Sequence, residues 1–210
     1  MKQIVIGLSG FARVGKDSFY RIASDIIEEK YGLKCKRYAL ADALKGDIRE
    51  FILDKVGIDV LTDDPELKSI IRPLLVAYGK CKRIQSNGTY WTSLLQSQIE
   101  SDTKTQVVFV TDIRYAEYEE DEVQWIKDVM GGTFIHISKY ERDSKYTEDV
   151  RIYTQAPNED EAKNDPILRG HADMLFEWEH CLRDDDTVDE DYMRVVVEPV
   201  VDYIIMKQGT

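Results

Sequence analysis

A lysine near the N-terminus follows two glycines at the spacing of a phosphate-binding loop. The segment GFARVGKDS runs from Gly10 to Ser18, and an apolar, strand-like run from Gln3 to Leu8 leads into it. Glycines allow the backbone to curl until successive amide groups point at phosphate oxygens, and a helix that begins at the lysine adds its positive dipole end. We therefore expect the loop to cradle phosphate groups and Lys16 to reach the β and γ phosphates of a nucleotide.

The residue after Lys16 departs from the usual form of this loop, in which Ser or Thr places a hydroxyl on Mg²⁺. This chain has Asp17 at that position, followed by Ser18. Carboxylates are ordinary partners of magnesium, which prefers to keep several water ligands. Asp17, acting through a bound water, and Ser18 are therefore the candidate metal ligands. The alternative is a glycine-rich turn that only joins a strand to a helix, with Asp17 stabilising the first helical turn.

A second segment, VVFVTDIRYAEYE, places polar groups directly after an apolar strand-like run, Val107 to Thr111. In open α/β sheets, ligands bind in the crevice at the carboxyl ends of the strands. We expect Asp112 to act near Mg²⁺ or on the acceptor, Arg114 to grip a phosphate with its planar guanidinium group, and Glu117 to orient Arg114. In the alternative, Asp112 caps the following helix and Arg114 forms a surface ion pair.

The segment YGKCKRIQSNGTYW combines cations with aromatic rings. Arg83 is the first candidate for binding an acceptor monophosphate, and Tyr90 and Trp91 are candidates for stacking on a base. In the alternative, the two aromatic residues anchor the start of a helix in the core, and the cations are solvated. Asp42 and Lys45 follow the second strand-like run and border the expected acceptor pocket, or serve as a helix cap and an exposed charge.

The elements that position these residues follow an alternating pattern of strands and helices, which is typical of a parallel sheet. The pattern predicts a three-layer α/β/α P-loop kinase fold, with an acceptor-binding helical region at 41–101. Strand-like runs are Gln3 to Leu8, Cys35 to Leu40, Val107 to Thr111, Thr133 to Ser138 and Ala172 to Trp178; helices are expected at 16–30, 42–56, 65–78 and 90–100.

A polar stretch without clear periodicity, 139–170, is interpreted as a mobile lid rather than a disordered insertion. It contributes Arg142, Arg151 and Arg169, which would neutralise charge on a transferred phosphoryl group. Residues 183–187 are expected to cap a final amphipathic helix.

Composition limits the classes of function. The chain has 210 residues, 43% hydrophobic and 32% charged, which favours one soluble domain over residues 1–210. Its net charge of −12 argues against binding long nucleic acid, which needs clustered Lys and Arg. The three cysteines lack metal-ligand spacing, and neither a membrane span nor a signal peptide is evident, so we expect a cytoplasmic protein.

With these residues in view, the chain resembles the deoxynucleoside monophosphate kinases of tailed phages, within the P-loop nucleoside monophosphate kinase-like group. The resemblance rests on SGFARVGKDS, YALADALK, YGKCKRIQSNGTYW, VTDIRYAEYEEDEVQWIKDVMGG and NDPILRGHADMLFEW. It implies transfer of the γ-phosphoryl group of ATP to a deoxynucleoside monophosphate with Mg²⁺, in a homodimer. A phage-encoded kinase of this kind would be located in the host cytoplasm.

The resemblance also implies roles for residues. Arg83, Asp112 and Arg114 would face the acceptor, and the adenine of ATP would lie near 183–187. The ATP phosphates would be held by Gly10, Ala12, Arg13, Val14, Gly15, Lys16, Asp17 and Ser18. Two alternatives remain: a kinase similar to animal phosphomevalonate kinase, whose loop also looks like GKD, and an ATP-binding regulatory module without transferase activity.

Overall fold

The computed structural model describes residues 3–142, 150–180 and 189–208. Its strands are β1 (Ile4–Ser9), β2 (Cys35–Tyr38), β3 (Val107–Val110), β4 (Thr133–Arg142), β5 (Arg151–Tyr153) and β6 (Met174–Glu179). Its helices are α1 (Lys16–Tyr31), α2 (Leu40–Val56), α3 (Pro65–Gln85), α4 (Thr89–Ser101), α5 (Glu122–Gln124), α6 (Glu159–His171) and α7 (Glu190–Gln208). Helix α5 continues as a π-helical turn (Trp125–Val129).

Five strands lie side by side in the order β2-β3-β1-β4-β6, and all their pairings are parallel. The short β5 pairs antiparallel with the far end of β4. Strand β1 therefore lies centrally: Ile6 is in register with Phe109 of β3 on one side and Thr133 of β4 on the other. After β1 the chain forms β2 and β3 on one side of that strand, and it then forms β4 on the other side. A crevice is therefore expected at the carboxyl ends of β1 and β3.

Alternating side chains of the strands bury two separate cores, one on each face of the sheet. Ile4, Ile6 and Leu8 of β1 pack against α1 and α7. Val5 of β1 belongs to the other core, which includes side chains of α4, the π-helical turn and α6. The predicted three-layer α/β/α architecture is therefore confirmed. A smaller core joins α2 to α3 outside these layers.

The second strand is shorter than the sequence predicts. We expected a strand to Leu40, but β2 ends at Tyr38 and α2 begins at Leu40. The reason is tertiary: the side chain of Asp112, at the end of β3, accepts hydrogen bonds from the amides of Leu40 and Ala41 and so starts the helix there. Helix α3 also extends beyond the predicted end at residue 78, to Gln85.

The predicted irregular lid at 139–170 contains regular structure in the part that is described. Strand β4 continues to Arg142, β5 spans Arg151–Tyr153, and α6 begins at Glu159. Asn158 caps α6, because its side chain accepts a hydrogen bond from the amide of Glu161. The interpretation of residues 150–170 as an irregular loop was therefore wrong. The expected cap at 183–187 lies outside the described residues.

Within the described ranges, every helix is too short or too polar to cross a membrane.

Candidate active site

The loop between β1 and α1 has a backbone that only glycine tolerates at two positions. Gly10 has φ +122°, Arg13 has φ +68° and Gly15 has φ +95°. A Cβ on Gly10 would lie 2.1 Å from the carbonyl oxygen of Ile137 in β4, and one on Gly15 would lie 2.0 Å from the ring of Trp178 in β6. The predicted glycine spacing therefore serves both the curl of the loop and its close packing on two strands.

Lys16 lies folded over this loop. Its Nζ donates hydrogen bonds to the carbonyl oxygens of Gly10 (2.7 Å) and Phe11 (2.8 Å). Burial lowers the pKa of Lys16, and the nearby positive charge of Arg114 lowers it further, while Glu161 has the opposite effect. The ammonium group is thus held in place by backbone carbonyls, in the position from which it would meet an anion bound by the loop.

The loop and the end of β3 share one cleft, as predicted. Its lining includes Lys16 from the loop and Asp112 and Arg114 from the segment after β3, so the structure brings these three predicted residues together. Helix α6 closes the opposite side. The residues that line the cleft are Gly10, Phe11, Lys16, Asp112, Ile113, Arg114, Asp160, Glu161, Asn164, Asp165 and Leu168.

The cleft is narrow, and α6 forms one of its walls. The free volume is about 30 Å³, enough for about one or two water molecules, whereas small-molecule sites typically span roughly 300–1,000 Å³. On the side of α6, Glu161 Oε2 accepts a hydrogen bond of 2.9 Å from the amide of Ala12. At least one amide of the loop therefore already binds an anionic oxygen, which belongs to a residue that lines the cleft.

Asp112 has a different partner from either sequence alternative. Its two carboxylate oxygens accept hydrogen bonds of 2.8 Å each from the amides of Leu40 and Ala41, at the start of α2. Burial raises the pKa of Asp112, although the two amide hydrogen bonds oppose this effect. Asp112 thus caps a helix that precedes it in the sequence, and it still lines the cleft.

Arg83 does not line the cleft. It is 7% exposed and pairs with the fully buried Asp121 at 2.6 Å. Its guanidinium group lies 3.6 Å from the centre of the Tyr115 ring, and Glu117 is a second, longer partner at 3.4 Å. In this structure Glu117 thus pairs with Arg83 and with Lys163 of α6, instead of with Arg114 as expected.

Two acidic residues that the sequence analysis did not single out hold the segment after β3. Asp121 accepts hydrogen bonds from the amides of Glu117 (2.9 Å) and Glu122 (3.0 Å) and caps α5. Glu122 Oε2 accepts from the amides of Arg114 (2.6 Å) and Tyr115 (3.1 Å). Burial raises the pKa of Glu122 to about 8. The signal in the sequence was the acidic run EYEEDE directly before an apolar segment, a pattern typical of a helix start.

The aromatic candidates pack among the helices beside the cleft. Trp91 is 4% exposed, and its Nε1 donates to the carbonyl oxygen of Gly79 at 3.2 Å. Tyr90 packs edge-on against Trp91, with ring centres 4.7 Å apart, and its hydroxyl donates to Asp47 at 3.0 Å. The arrangement is that of the core-anchor alternative for Trp91, while Tyr90 is half-buried.

Asp17 and Asp42 both form ion pairs with one residue that the sequence analysis did not select. Arg37 of β2 lies between them, with Nε 3.3 Å from Asp17 and Nη1 3.3 Å from Asp42. This places the candidate metal ligand and one candidate acceptor residue at the same edge of the sheet. Lys45 lies one turn further along α2 and is half-buried.

The candidate lid arginines lie along β6 rather than in the cleft. Arg142 pairs with Glu179 at 2.9 Å, and Arg151 lies 3.5 Å from Glu177. Arg169 of α6 donates to the same Glu177 at 2.8 Å and lowers the pKa of that carboxyl. In this structure, the three arginines therefore neutralise the acidic strand β6.

The donor set near Lys16 fits Mg²⁺ bound mainly by a nucleotide. Asp17 has a side chain that is 82% exposed, and Ser18 is half-buried in the same first turn of α1. No group of three or more His, Cys, Asp or Glu side chains within the described ranges could hold a metal ion. Magnesium that binds through one or two protein oxygens and the phosphates of its substrate needs no larger group. The expected adenine site at 183–187 lies outside the described residues.

No protein-family model matches this chain. A search of curated proteins likewise finds no match. Among solved structures, the chain is similar to a dephospho-CoA kinase from Campylobacter jejuni, with a TM-score of 0.45, 15% sequence identity, and coverage of 97% of this chain and 96% of that chain. The strand order and the curled loop of the chain itself are those of a three-layer α/β/α protein with a mostly parallel sheet and a glycine-rich loop at the end of its central strand.

Proposed function

We propose that this protein is an ATP-dependent kinase that transfers the γ-phosphoryl group of ATP to a deoxynucleoside monophosphate, giving ADP and the deoxynucleoside diphosphate. The observation that carries the proposal is the cleft in which Lys16 faces Asp112 and Arg114 across the carboxyl ends of β1 and β3. One side of this cleft has the backbone geometry expected of a phosphate-binding loop, and the other carries the exposed Arg114, a cation available for a second anion.

Each element has a distinct task in this reaction. The loop amides and Lys16 would bind the donor phosphates, and Arg114 would hold the acceptor phosphate in line with them. Asp17 and Ser18 would contribute to the binding of Mg²⁺, which offsets charge repulsion between donor and acceptor when it is bound. A phosphate acceptor is already anionic, so this transfer needs no general base. Asp112 would fix the start of α2 at the acceptor side of the cleft.

The acceptor class rests on the sequence resemblance and on the aromatic helices beside the cleft. Tyr90 and Tyr78 both donate hydrogen bonds to Asp47, and Lys82 lies 4.4 Å from the centre of the Tyr90 ring. Such an ordered set of aromatic and charged groups suits recognition of a base better than recognition of a small aliphatic phosphate. The homodimer and the cytoplasmic location also belong to this proposal and rest on the same resemblance.

An ADP-release assay with Mg-ATP tests the proposal against its alternatives. The acceptors are the four common deoxynucleoside monophosphates, their ribose counterparts and phosphomevalonate. Turnover that depends on a deoxynucleoside monophosphate and disappears in Lys16→Ala supports the kinase. Turnover with phosphomevalonate alone would show that the acceptor is a small aliphatic phosphate and not a deoxynucleoside monophosphate. ATP binding without acceptor-dependent turnover would instead indicate a regulatory module.

A further inference from the structure

We propose that helix α6 is an autoinhibitory gate, in which the carboxylate of Glu161 occupies the seat of a nucleotide phosphate in the loop. The proposal rests on the proposed function in one respect, namely that this loop binds phosphate. It concerns regulation of the site: a nucleotide must displace α6 before it binds, and the same displacement opens the acceptor side.

The contact at the loop has the chemistry of a bound phosphate oxygen. Glu161 Oε2 accepts a hydrogen bond of 2.9 Å from the amide of Ala12, and Glu161 is close enough to Lys16 to raise the pKa of that lysine. A carboxylate and a phosphate both offer anionic oxygens to loop amides and to an ammonium group. The two anions compete for the seat, because their charges repel and both need the amide hydrogen of Ala12.

The same helix is also attached to the acceptor side of the cleft. The hydroxyl of Tyr115 donates to Asp160 at 3.0 Å, and Lys163 Nζ lies 3.2 Å from Glu117. Tyr115 and Glu117 belong to the segment after β3 that carries Arg114. The first two turns of α6 thus join the donor loop to the acceptor segment, and a movement that frees one side frees the other.

The second half of α6 is anchored more firmly. Leu168 is 4% exposed and belongs to the core beneath the sheet, and Asp165 pairs with the buried His136 of β4 at 2.9 Å. Arg169 is held by Ser138 and Glu177. The contacts of the first turns lie at the surface by comparison, so these turns form the part of the helix that leaves the cleft at least cost.

This arrangement predicts coupling between the two sides. Because the closed state competes with bound phosphate, any change that weakens the closed state raises the apparent affinity for the donor. That holds even for a change on the acceptor segment, which does not touch the loop. Tyr115→Phe is such a change: it removes the hydrogen bond to Asp160 and keeps the ring that stacks on Arg83.

The experiment measures the affinity for tripolyphosphate by calorimetry, since this probe has no base or sugar and needs no turnover. Glu161→Gln and Glu161→Ala are compared with Glu159→Gln, which removes the same charge from the same helical turn but lies exposed at the surface. We expect roughly tenfold tighter binding in the Glu161 variants, the change that follows from the loss of one charged contact in the closed state. We expect severalfold tighter binding in Tyr115→Phe and no change in Glu159→Gln.

Two outcomes distinguish the gate from the proposed function. If Lys16→Ala abolishes binding while the Glu161 variants and Tyr115→Phe bind tripolyphosphate no more tightly than the wild type, the gate is overturned and the phosphate seat stands. If Lys16→Ala binds as well as the wild type, the loop is not the phosphate seat, and the gate and the proposed function fall together.

Discussion

The indole Nε1 of Trp178 donates a hydrogen bond of 2.7 Å to the carbonyl oxygen of Val14, inside the glycine-rich loop between β1 and α1. Trp178 is 2% exposed and lies on β6, 164 residues along the chain from Val14. The ring also packs directly against the position of Gly15. The last strand of the sheet therefore shapes the loop that begins after the first strand.

Gly15→Ala is expected to distort the loop, since the new Cβ would lie 2.0 Å from the Trp178 ring in a backbone with φ +95°. We expect a loss of about 2 kcal/mol or more in the free energy of unfolding, measured with urea, together with loss of tripolyphosphate binding. The matched control is Gly46→Ala in α2, where a Cβ meets nothing within 4 Å. That variant should gain about 0.5 kcal/mol. Equal stability of the two variants would contradict this account of the loop.

Asp112→Ala is expected to destabilise the start of α2. The variant leaves the amides of Leu40 and Ala41 without their acceptors, which costs about 1–2 kcal/mol by analogy with other helix caps. Asp112→Asn keeps one acceptor oxygen and should lose about half as much. Urea unfolding measures both. Lost turnover with unchanged stability in Asp112→Ala would contradict the capping role and assign Asp112 to the chemistry alone.

The loop, the strand ends and the layers could be predicted because their signals are local. An apolar run that leads into GFARVGKDS, and another that ends in TDIR, identify the two strands whose carboxyl ends meet. In the structure, Lys16, Asp112 and Arg114 line one cleft. The parallel orientation of the main strands then follows from the alternation of strands and helices, whereas their order in the sheet was not predicted.

Helix α6 could not be predicted because it has no apolar stripe. Its buried residues are Asn164 and Leu168, and Pro166 lies inside it, so its sequence reads as a polar loop. The hydrogen-bond partners of Asp112 and Arg83 lie 72 and 38 residues away in the chain, and no local sequence pattern reveals such partners. Both charged side chains are of a type that binds ligands, but in the structure each forms hydrogen bonds within the protein.

Arg83→Met is expected to lower stability strongly, because it leaves the buried carboxylate of Asp121 without its cation. Breaking a buried ion pair costs about 3 kcal/mol or more, and the side chain of Arg83 is only 9% exposed. Urea unfolding of Arg83→Met is compared with that of Lys80→Met, which removes an exposed cation from the same helix. Unchanged stability of Arg83→Met with a raised KM for the acceptor would restore Arg83 as a phosphate-binding residue.

Glu122→Gln is expected to change how stability depends on pH. Burial raises the pKa of Glu122 to about 8, from an ordinary value of 4.5. Between these values the folded protein holds a proton that the unfolded chain releases, so the free energy of unfolding falls as the pH rises toward 8. Glutamine does not titrate, so the free energy of unfolding of the variant does not fall in this way. It should gain about 2 kcal/mol relative to the wild type between pH 6 and pH 8, measured with urea. A constant difference between the two proteins across this range would contradict the raised pKa.

The central claim is phosphoryl transfer in the cleft between Lys16 and Arg114, and the most direct measurement follows the phosphoryl group itself. Purified protein is incubated with Mg-ATP labelled in the γ position and each deoxynucleoside monophosphate, and the products are separated. We predict label in a deoxynucleoside diphosphate, with the rate at least about a hundredfold lower in Lys16→Ala and in Arg114→Ala. Label that appears only in inorganic phosphate, or in a diphosphate at the same rate in all three proteins, would contradict the account.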